Sequence, residues 1–246
     1  MNAKTMKKGI AAAVLAVAVL GSARAQDSEG VRFGLKLSPN LGWLRPDSKG
    51  IESDGTRLGY SFGLLTEFPV GQNGNYRFAT GLFLYNQGGG YTVDFTYSDA
   101  PANPEKTTTL ENTVKLRYVE LPLTMKLMTS EIGYIRYYGQ IGFSAAFNIR
   151  AKADLTRPVY FDPPGEAFVE SFETLEDEDI KDDINVFKAG LIIGGGLEYN
   201  FAGTTSVLAG ITYNNSFTNI LNDVEFNGKK AKVYSDYIEL TLGVFF

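Results

Sequence analysis

Apolar and polar side chains alternate along most of the chain, in eight stretches separated by polar or glycine-containing segments. In the first stretch, Leu35 and Leu37 alternate with Lys36 and Ser38. Such alternation predicts β-strands with one apolar and one polar face, because successive side chains of a strand point to opposite sides. The predicted strands are 31–43, 58–68, 76–85, 119–127, 135–147, 187–199, 207–213 and 234–246.

The connections between these strands are alternately long and short. The short turns are expected at 69–75, 128–133 and 200–205, and the long polar loops at 45–55, 86–113, 148–185 and 214–232. Strands of about 9–11 residues joined in this way are typical of outer-membrane barrels. We therefore predict an all-β fold, an eight-stranded antiparallel transmembrane β-barrel with up-and-down meander topology. With eight strands, the N- and C-termini both lie on the short-turn side, the periplasm.

A soluble eight-stranded barrel or sandwich would show the same alternation, and a soluble barrel would turn its apolar face inward. Two features favour the membrane orientation. The polar face is rich in Gly, Ala and Ser, which suits the crowded interior of a narrow barrel. The apolar face carries aromatic residues near both strand ends, such as Phe68 and Tyr76 beside a short turn and Trp43 and Phe147 toward long loops. Two aromatic girdles around an aliphatic band are characteristic of a bilayer-spanning barrel.

The N-terminus has the three parts of a secretory signal peptide. Three lysines precede an apolar run from Gly9 to Leu20, and Ala23-Arg24-Ala25 fits the small-x-small cleavage rule. A transmembrane anchor is disfavoured, because the run is well short of the ~20 residues that span a bilayer. We predict a signal peptide at 1–25 and an outer-membrane β-barrel domain at 26–246.

The composition argues against several classes of protein. The chain has no Cys and no His, which removes disulfides, thiolate metal sites and activation of a serine by histidine. Its net charge is −5, and cleavage after Ala25 would remove four basic and no acidic residues, giving −9. An acidic protein is a poor partner for nucleic acid. We expect no enzymatic activity, no cofactor and no nucleic-acid partner.

Pro122 interrupts the fourth predicted strand. Before it the apolar residues have even numbers (Leu116, Tyr118), and beside it they have odd numbers (Val119, Leu121). A change of parity next to a residue that lacks an N–H predicts a β-bulge at this point.

Two segments resemble known outer-membrane proteins. The chain ends Tyr-Ile-Glu-Leu-Thr-Leu-Gly-Val-Phe-Phe, which resembles the C-terminal signal read by the outer-membrane assembly machinery. Residues 116–126, Leu-Arg-Tyr-Val-Glu-Leu-Pro-Leu-Thr-Met-Lys, resemble the Tyr-Leu-Glu-Ile-Pro-Leu pattern of the PorT-like outer-membrane β-barrel family. The resemblance implies an eight-stranded outer-membrane barrel and a precedent for the proline, and some members are linked to protein secretion. The residues of the predicted assembly signal are Phe246, Val244, Leu242 and Leu240.

Charged residues recur on the polar face of the predicted strands. Buried charges must be paired or hydrated, and eight strands leave little open lumen, so an ion-pair plug is favoured over a solute path. The predicted interior charge network consists of Arg32, Lys36, Glu67, Arg77, Glu120, Lys126, Arg136, Glu198 and Glu239.

Residues 150–185 hold eleven Asp or Glu residues. Their oxygens could bind calcium, but they lack the spaced order of a calcium loop, and a solvated acidic face is the favoured interpretation.

Three functions remain open at this point. The favoured one is a structural or interaction role through long extracellular loops, with a possible envelope or secretion protein as partner besides outer-membrane lipid and the assembly machinery. A narrow channel for small solutes is the alternative, and a lipid-modifying enzyme is the least favoured, because no histidine is present.

Overall fold

The computed structural model describes residues 30–71, 74–99, 105–161, 168–203, 205–226 and 228–246; the predicted signal peptide lies outside these ranges. A short 3₁₀ helix covers Lys181–Asp183, and no helix in the described ranges is long and apolar enough to span a bilayer. The strands are β1 (Arg32–Pro46), β2 (Ile51–Pro69), β3 (Tyr76–Tyr97), β4 (Lys106–Met128), β5 (Ile135–Phe161), β6 (Phe168–Asp179), β7 (Phe187–Ala202), β8 (Thr205–Ser216), β9 (Glu225–Phe226), β10 (Lys229–Lys230) and β11 (Val233–Phe245).

Eight of these strands close into a barrel. In the order β1, β2, β3, β4, β5, β7, β8 and β11, each strand pairs antiparallel with the next, and β11 pairs with β1 to complete the ring. Strand β6 pairs with the outer part of β5 and does not enter the ring, while β9 and β10 form a small hairpin in the last long connection. The predicted eight-stranded antiparallel barrel is confirmed.

The apolar face of the barrel points outward. Leu35 and Leu37 are 52% and 64% exposed, whereas Lys36 between them is 8% exposed. The same alternation runs through the other barrel strands, so an aliphatic belt surrounds a polar interior. An exposed apolar surface of this extent needs a non-aqueous surrounding, and the soluble-barrel alternative is therefore wrong.

Pro122 does not produce the predicted bulge. Strand β4 keeps a single register with β3 along its whole length, and its even-numbered residues face the interior on both sides of the proline. The apolar parity changes because Leu116 and Tyr118 are buried inside the barrel, whereas Leu121 lies on the outer face. The predicted bulge was therefore wrong, because Leu116 and Tyr118 belong to an apolar patch of the interior and not to the outer face.

The irregularity lies in the neighbouring strand. On β5, Asn148 pairs with Tyr118 and Arg150 pairs with Arg117, which leaves Ile149 as an extra residue without a partner on β4. Inward-facing residues of β5 have even numbers before this bulge and odd numbers after it. A bulge re-aims the side chains that follow it, and this one decides which residues of β5 face outward beyond the barrel belt.

The long connections 86–113 and 148–185 are largely strands, not the loops that we predicted. Strands β3, β4 and β5 continue furthest past the aromatic girdle at the long-loop end, and β6 adds a fourth strand beside β5. Strand β2, which begins at Ile51 inside the predicted loop 45–55, accompanies β3 as far as Val93. We call this projecting sheet the outgrowth; it comprises 87–97, 106–117, 149–161 and 168–179. Apolar and polar residues alternate only weakly along the outgrowth, because its outer face lies in water and carries no lipid-facing belt.

The two edges of the outgrowth meet at its tip. The ring of Phe172 on β6 lies 5.2 Å from that of Tyr97 and 6.3 Å from that of Phe95, centroid to centroid, although both belong to β3. The Val169 backbone N–H also donates to the Ser98 carbonyl (3.1 Å). The sheet is therefore curled, with its first and fourth strands in contact.

Candidate functional site

At the short-turn end of the barrel, charged side chains from five strands meet inside the lumen. Lys126 Nζ lies 2.7 Å from a Glu67 carboxylate oxygen and 3.3 Å from a Glu198 oxygen. Arg32 binds both carboxylates, at 2.6 Å to Glu67. Arg77 Nε lies 3.8 Å from Glu67, and its guanidinium donates to a backbone carbonyl just before β1 (3.2 Å). This layer, the lower charge layer, holds three cations and two carboxylates.

Two aromatic rings complete the lower charge layer. The Arg32 guanidinium lies 4.5 Å from the centroid of the buried Phe245 ring, and Lys126 Nζ lies 4.4 Å from that of Tyr138. Cations over ring faces are stabilised by the ring quadrupole. A Cβ at Gly210 would come within 2.3 Å of the Tyr138 hydroxyl, so glycine makes room for this ring.

Arg136 is placed outside this network, contrary to our prediction. Its Nε lies 3.5 Å from a carboxylate oxygen of Glu131 in the β4–β5 turn, at the rim of the barrel. Glu198 is its register partner on β7, but the Glu198 carboxylate already binds Arg32 and Lys126. Arg136 therefore belongs to the rim, because the turn supplies a closer carboxylate.

A second polar cluster fills the lumen at mid-height. Lys36 Nζ lies 2.5 Å from a Glu239 oxygen and 2.7 Å from the Tyr85 hydroxyl. Ser61 and Tyr85 each donate to the other Glu239 oxygen at 3.0 Å. Every charged group of this cluster is thus paired and hydrogen-bonded, as buried charges require.

The remaining predicted carboxylate lies farther from the short-turn end. Glu120 accepts a hydrogen bond from the Tyr237 hydroxyl (2.8 Å). Nearby, the buried Lys188 donates to the Ser235 carbonyl (3.0 Å) and lies 5.2 Å from the Tyr118 ring centroid. Sequence reasoning missed Lys188 as a member of the network, although the alternation of its strand did place it on the polar face.

An apolar plug closes the long-loop end of the lumen. Leu44, Leu116 and Val233 contribute from barrel strands, and all three are buried. Ile184 and Ile220 join them from the connections before β7 and after β8, so two loops fold inward over the mouth. Between this plug and the lower charge layer the lumen retains a cavity of about 50 Å³. This volume suits a few water-sized molecules.

The predicted assembly signal lies on the outer face. Phe246, Val244, Leu242 and Leu240 are all exposed there, and the intervening Phe245 points into the lumen. The structure places these side chains where lipid or an assembly factor would meet them, and their role in assembly stays a prediction.

The acidic residues of 150–185 lie mostly along β6 and the 3₁₀ helix. Within the described ranges, no three His, Cys, Asp or Glu side chains converge into a metal site. In the outgrowth, Lys115 Nζ lies 2.7 Å from Asp154 and 3.2 Å from Asp177. The hydrogen bond from Lys115 lowers the pKa of Asp154 below its usual value.

Comparison with known proteins agrees with this architecture. Residues 24–200 match the family described as outer membrane protein beta-barrel domain. That match covers well over half of the chain and supports an integral outer-membrane β-barrel in contact with membrane lipid; it does not separate PorT-like proteins from other members. A search of curated proteins gave no match.

Several solved structures are similar in layout. Neisserial surface protein A has 16% identity, with 88% of this chain and 98% of that chain covered and a TM-score of 0.45. OprG from Pseudomonas aeruginosa has 13% identity, coverage of 88% and 96%, and a TM-score of 0.40. The outer membrane protease OmpT from Escherichia coli has 9% identity, coverage of 91% and 99%, and a TM-score of 0.47. Similarity of this extent carries no inference about function.

Proposed function

The chain belongs to the outer membrane protein beta-barrel domain family, and we propose that within it the protein is a structural or interaction barrel that presents the outgrowth to a partner outside the cell. In this orientation the N- and C-termini and the short turns lie in the periplasm. The asymmetry of the connections supports this, because outer-membrane barrels have short periplasmic turns and longer extracellular loops.

The observation that carries the proposal is that the outgrowth is a folded surface. Its strands are hydrogen-bonded along their length, and its edges meet at the tip. A surface that is ordered before binding avoids part of the entropic cost of association. Glu170, Glu173 and Glu176 are exposed along β6, which favours a partner with a basic surface.

The filled lumen argues against conduction. Paired charges occupy the short-turn end and the middle, and apolar side chains occupy the other end. A hydrated ion would have to displace packed side chains at several levels. We therefore favour an interaction role over the narrow-channel alternative.

We also propose that the protein is not an enzyme. The absence of histidine from the sequence supports this, because no Ser–His pair is available to activate a nucleophile. A link to protein secretion, as in some PorT-like barrels, is the narrower form of the interaction role, and assembly through the C-terminal signal would need the outer-membrane assembly machinery as a partner.

A photo-crosslinking amino acid at Glu173 tests the interaction role in the native host. We expect a discrete protein adduct from this position. We expect no discrete adduct from the same probe at Tyr134, which is exposed at the short-turn end. A shortened chain, with 92–111 and 155–175 replaced by Asn-Gly turns, should still form a barrel but lose the cellular role of the full chain. Full rescue of a deletion strain by the shortened chain would rule out the outgrowth as the functional surface.

A further inference from the structure

A basic recess lies on the outer face of the barrel, where the outgrowth begins. It has a volume of about 190 Å³. Strands β2 to β5 each contribute to its walls, and Asp177 closes it on the side of β6. The cations that line it are Arg57, Lys115, Arg117, Arg150 and Lys152.

The register of the strands sets like charges directly opposite each other. Arg117 on β4 pairs with Arg150 on β5, and Lys115 pairs with Lys152 in the next row on the same face. Like charges opposite each other destabilise a sheet. The arrangement depends on the Ile149 bulge, which turns both cations of β5 toward the cations of β4.

Carboxylates compensate only the lysine row. Lys115 binds Asp154 and Asp177, and Lys152 lies 3.7 Å from Asp177. Arg117 Nε donates to the Asn86 side-chain oxygen (2.7 Å). Within the described ranges, none of the three arginines of the recess has a carboxylate oxygen within 4.0 Å. The arginine row is therefore a cationic pair whose counter-ion the described part of the chain does not supply.

The recess lies at the depth of lipid head groups. Arg150 follows the girdle residue Phe147 by three positions on β5. Because Ile149 is the extra residue of the bulge, Arg150 lies two ladder positions beyond Phe147. At about 3.3 Å per position and a strand tilt of about 40°, this places Arg150 roughly 5 Å beyond the girdle. The head-group layer extends about 5–8 Å beyond the hydrocarbon core.

The chemistry of the recess identifies the missing anion. Guanidinium groups bind phosphate oxygens in a planar, bidentate geometry. We propose that the arginine row binds the phosphate of a lipid head group in the outer leaflet. Asp177 borders the recess beside Lys115 and Lys152, and its negative charge disfavours entry of a free anion past the lysine row. The assignment to the outer leaflet rests on the orientation given under the proposed function, whereas phosphate binding itself does not depend on that orientation.

The test compares wild type with Arg117→Gln/Arg150→Gln and with a control, Lys229→Gln/Lys230→Gln, which removes equal charge from the exposed β9–β10 hairpin. Each protein is placed in nanodiscs of digalactosyldiacylglycerol, a bilayer lipid without phosphate, with or without a phosphorylated glycolipid, and retained lipid is measured by native mass spectrometry. We expect the arginine variant to bind the glycolipid about tenfold more weakly or worse, given the strength of charge-assisted hydrogen bonds. The control should match wild type, and a dephosphorylated glycolipid should bind all three proteins equally weakly.

A stability measurement separates binding from a structural role. In non-ionic detergent without the glycolipid, the arginine variant should be as stable as wild type or more stable, because a like-charge pair is relieved. With the phosphorylated glycolipid present, it should be less stable than wild type. Lower stability in both conditions would make the arginines structural and overturn the proposal. Equal glycolipid binding by wild type and variant would overturn it too, and full competition by millimolar inorganic phosphate would overturn the lipid source.

Discussion

The surplus cation in the lower charge layer makes the two members of the buried Glu67–Lys126 ion pair unequal. Replacing Glu67 by Gln leaves Glu198 alone with three cations, and removing one partner of a buried pair costs about 3–5 kcal/mol. Replacing Lys126 by Met leaves Arg32 bridging both carboxylates, with two cations and two anions in the layer. We expect this change to cost about 1.5–3 kcal/mol, the value of a lost hydrogen bond to a charged group.

The double variant Glu67→Gln/Lys126→Met should be more stable than Glu67→Gln alone, with a coupling energy of about 1–3 kcal/mol between the two sites. Urea unfolding in detergent micelles, followed by the fluorescence of the single Trp43 on the outer face, measures all three variants. Arg136→Gln is the matched control, since that cation lies at the same end but outside the layer. Its effect should stay within about 0.5 kcal/mol. Equal losses for the two single variants, or strict additivity in the double variant, would refute the charge balance described here.

Three further predictions follow from the outer face and the outgrowth. Leu240→Arg places a charge at mid-depth of the bilayer and should lower the free energy of unfolding by about 2–4 kcal/mol, whereas Val207→Arg near the short-turn rim should lower it by about 0–1 kcal/mol. The same unfolding assay compares the two variants, and a larger loss of stability at Val207 would reverse the depth assignment. Deleting Phe246 should lower the fraction of barrel that resists SDS without boiling, and unchanged assembly would contradict the proposed signal. Because Lys115 lowers the pKa of Asp154, the outgrowth should keep its full stability above the unfolded pKa of about 4 and lose part of it as the pH falls through the lower folded value. Hydrogen exchange should show a larger loss in wild type than in Asp154→Asn, where Lys115 still lowers the pKa of Asp177.

The barrel itself was predictable because its environment imposes the alternation. Lipid outside and packed polar groups inside act on each strand locally, so Leu35, Lys36 and Leu37 already reveal their faces in the sequence. Beyond the membrane this constraint ends. The outgrowth strands are held by partners distant in sequence, such as Phe172 against Tyr97, and their weaker alternation was taken for loops.

For the charged residues of the lumen, the contact partner was harder to predict than the face on which the residue lies. The alternation put Arg136 and Lys188 on the inward face, but the first pairs with Glu131 in a turn and the second donates to a backbone carbonyl. Such choices depend on heights and distances between strands that are not neighbours in the sequence. Periodicity gives the face of a residue and leaves open which of several charged groups it reaches.

The bulge at Ile149 in β5 explains why Pro122 did not mark the irregularity in the strand pairing. If Ile149 were paired regularly with β4, the even-numbered face of β5 would stay inward, and Arg150 and Lys152 would enter the lumen beside the apolar Leu116. Two unpaired cations in an apolar plug would carry a large desolvation cost. The bulge instead turns small side chains, including Ala151, into the plug and the cations outward.

Pro122 needs no such correction, because β4 continues in register through it and the Pro122 carbonyl still accepts a hydrogen bond from Thr80 Oγ1 (2.7 Å). Burial of charge, and not the missing proline N–H, therefore accounts for the departure of β5 from regular pairing with β4.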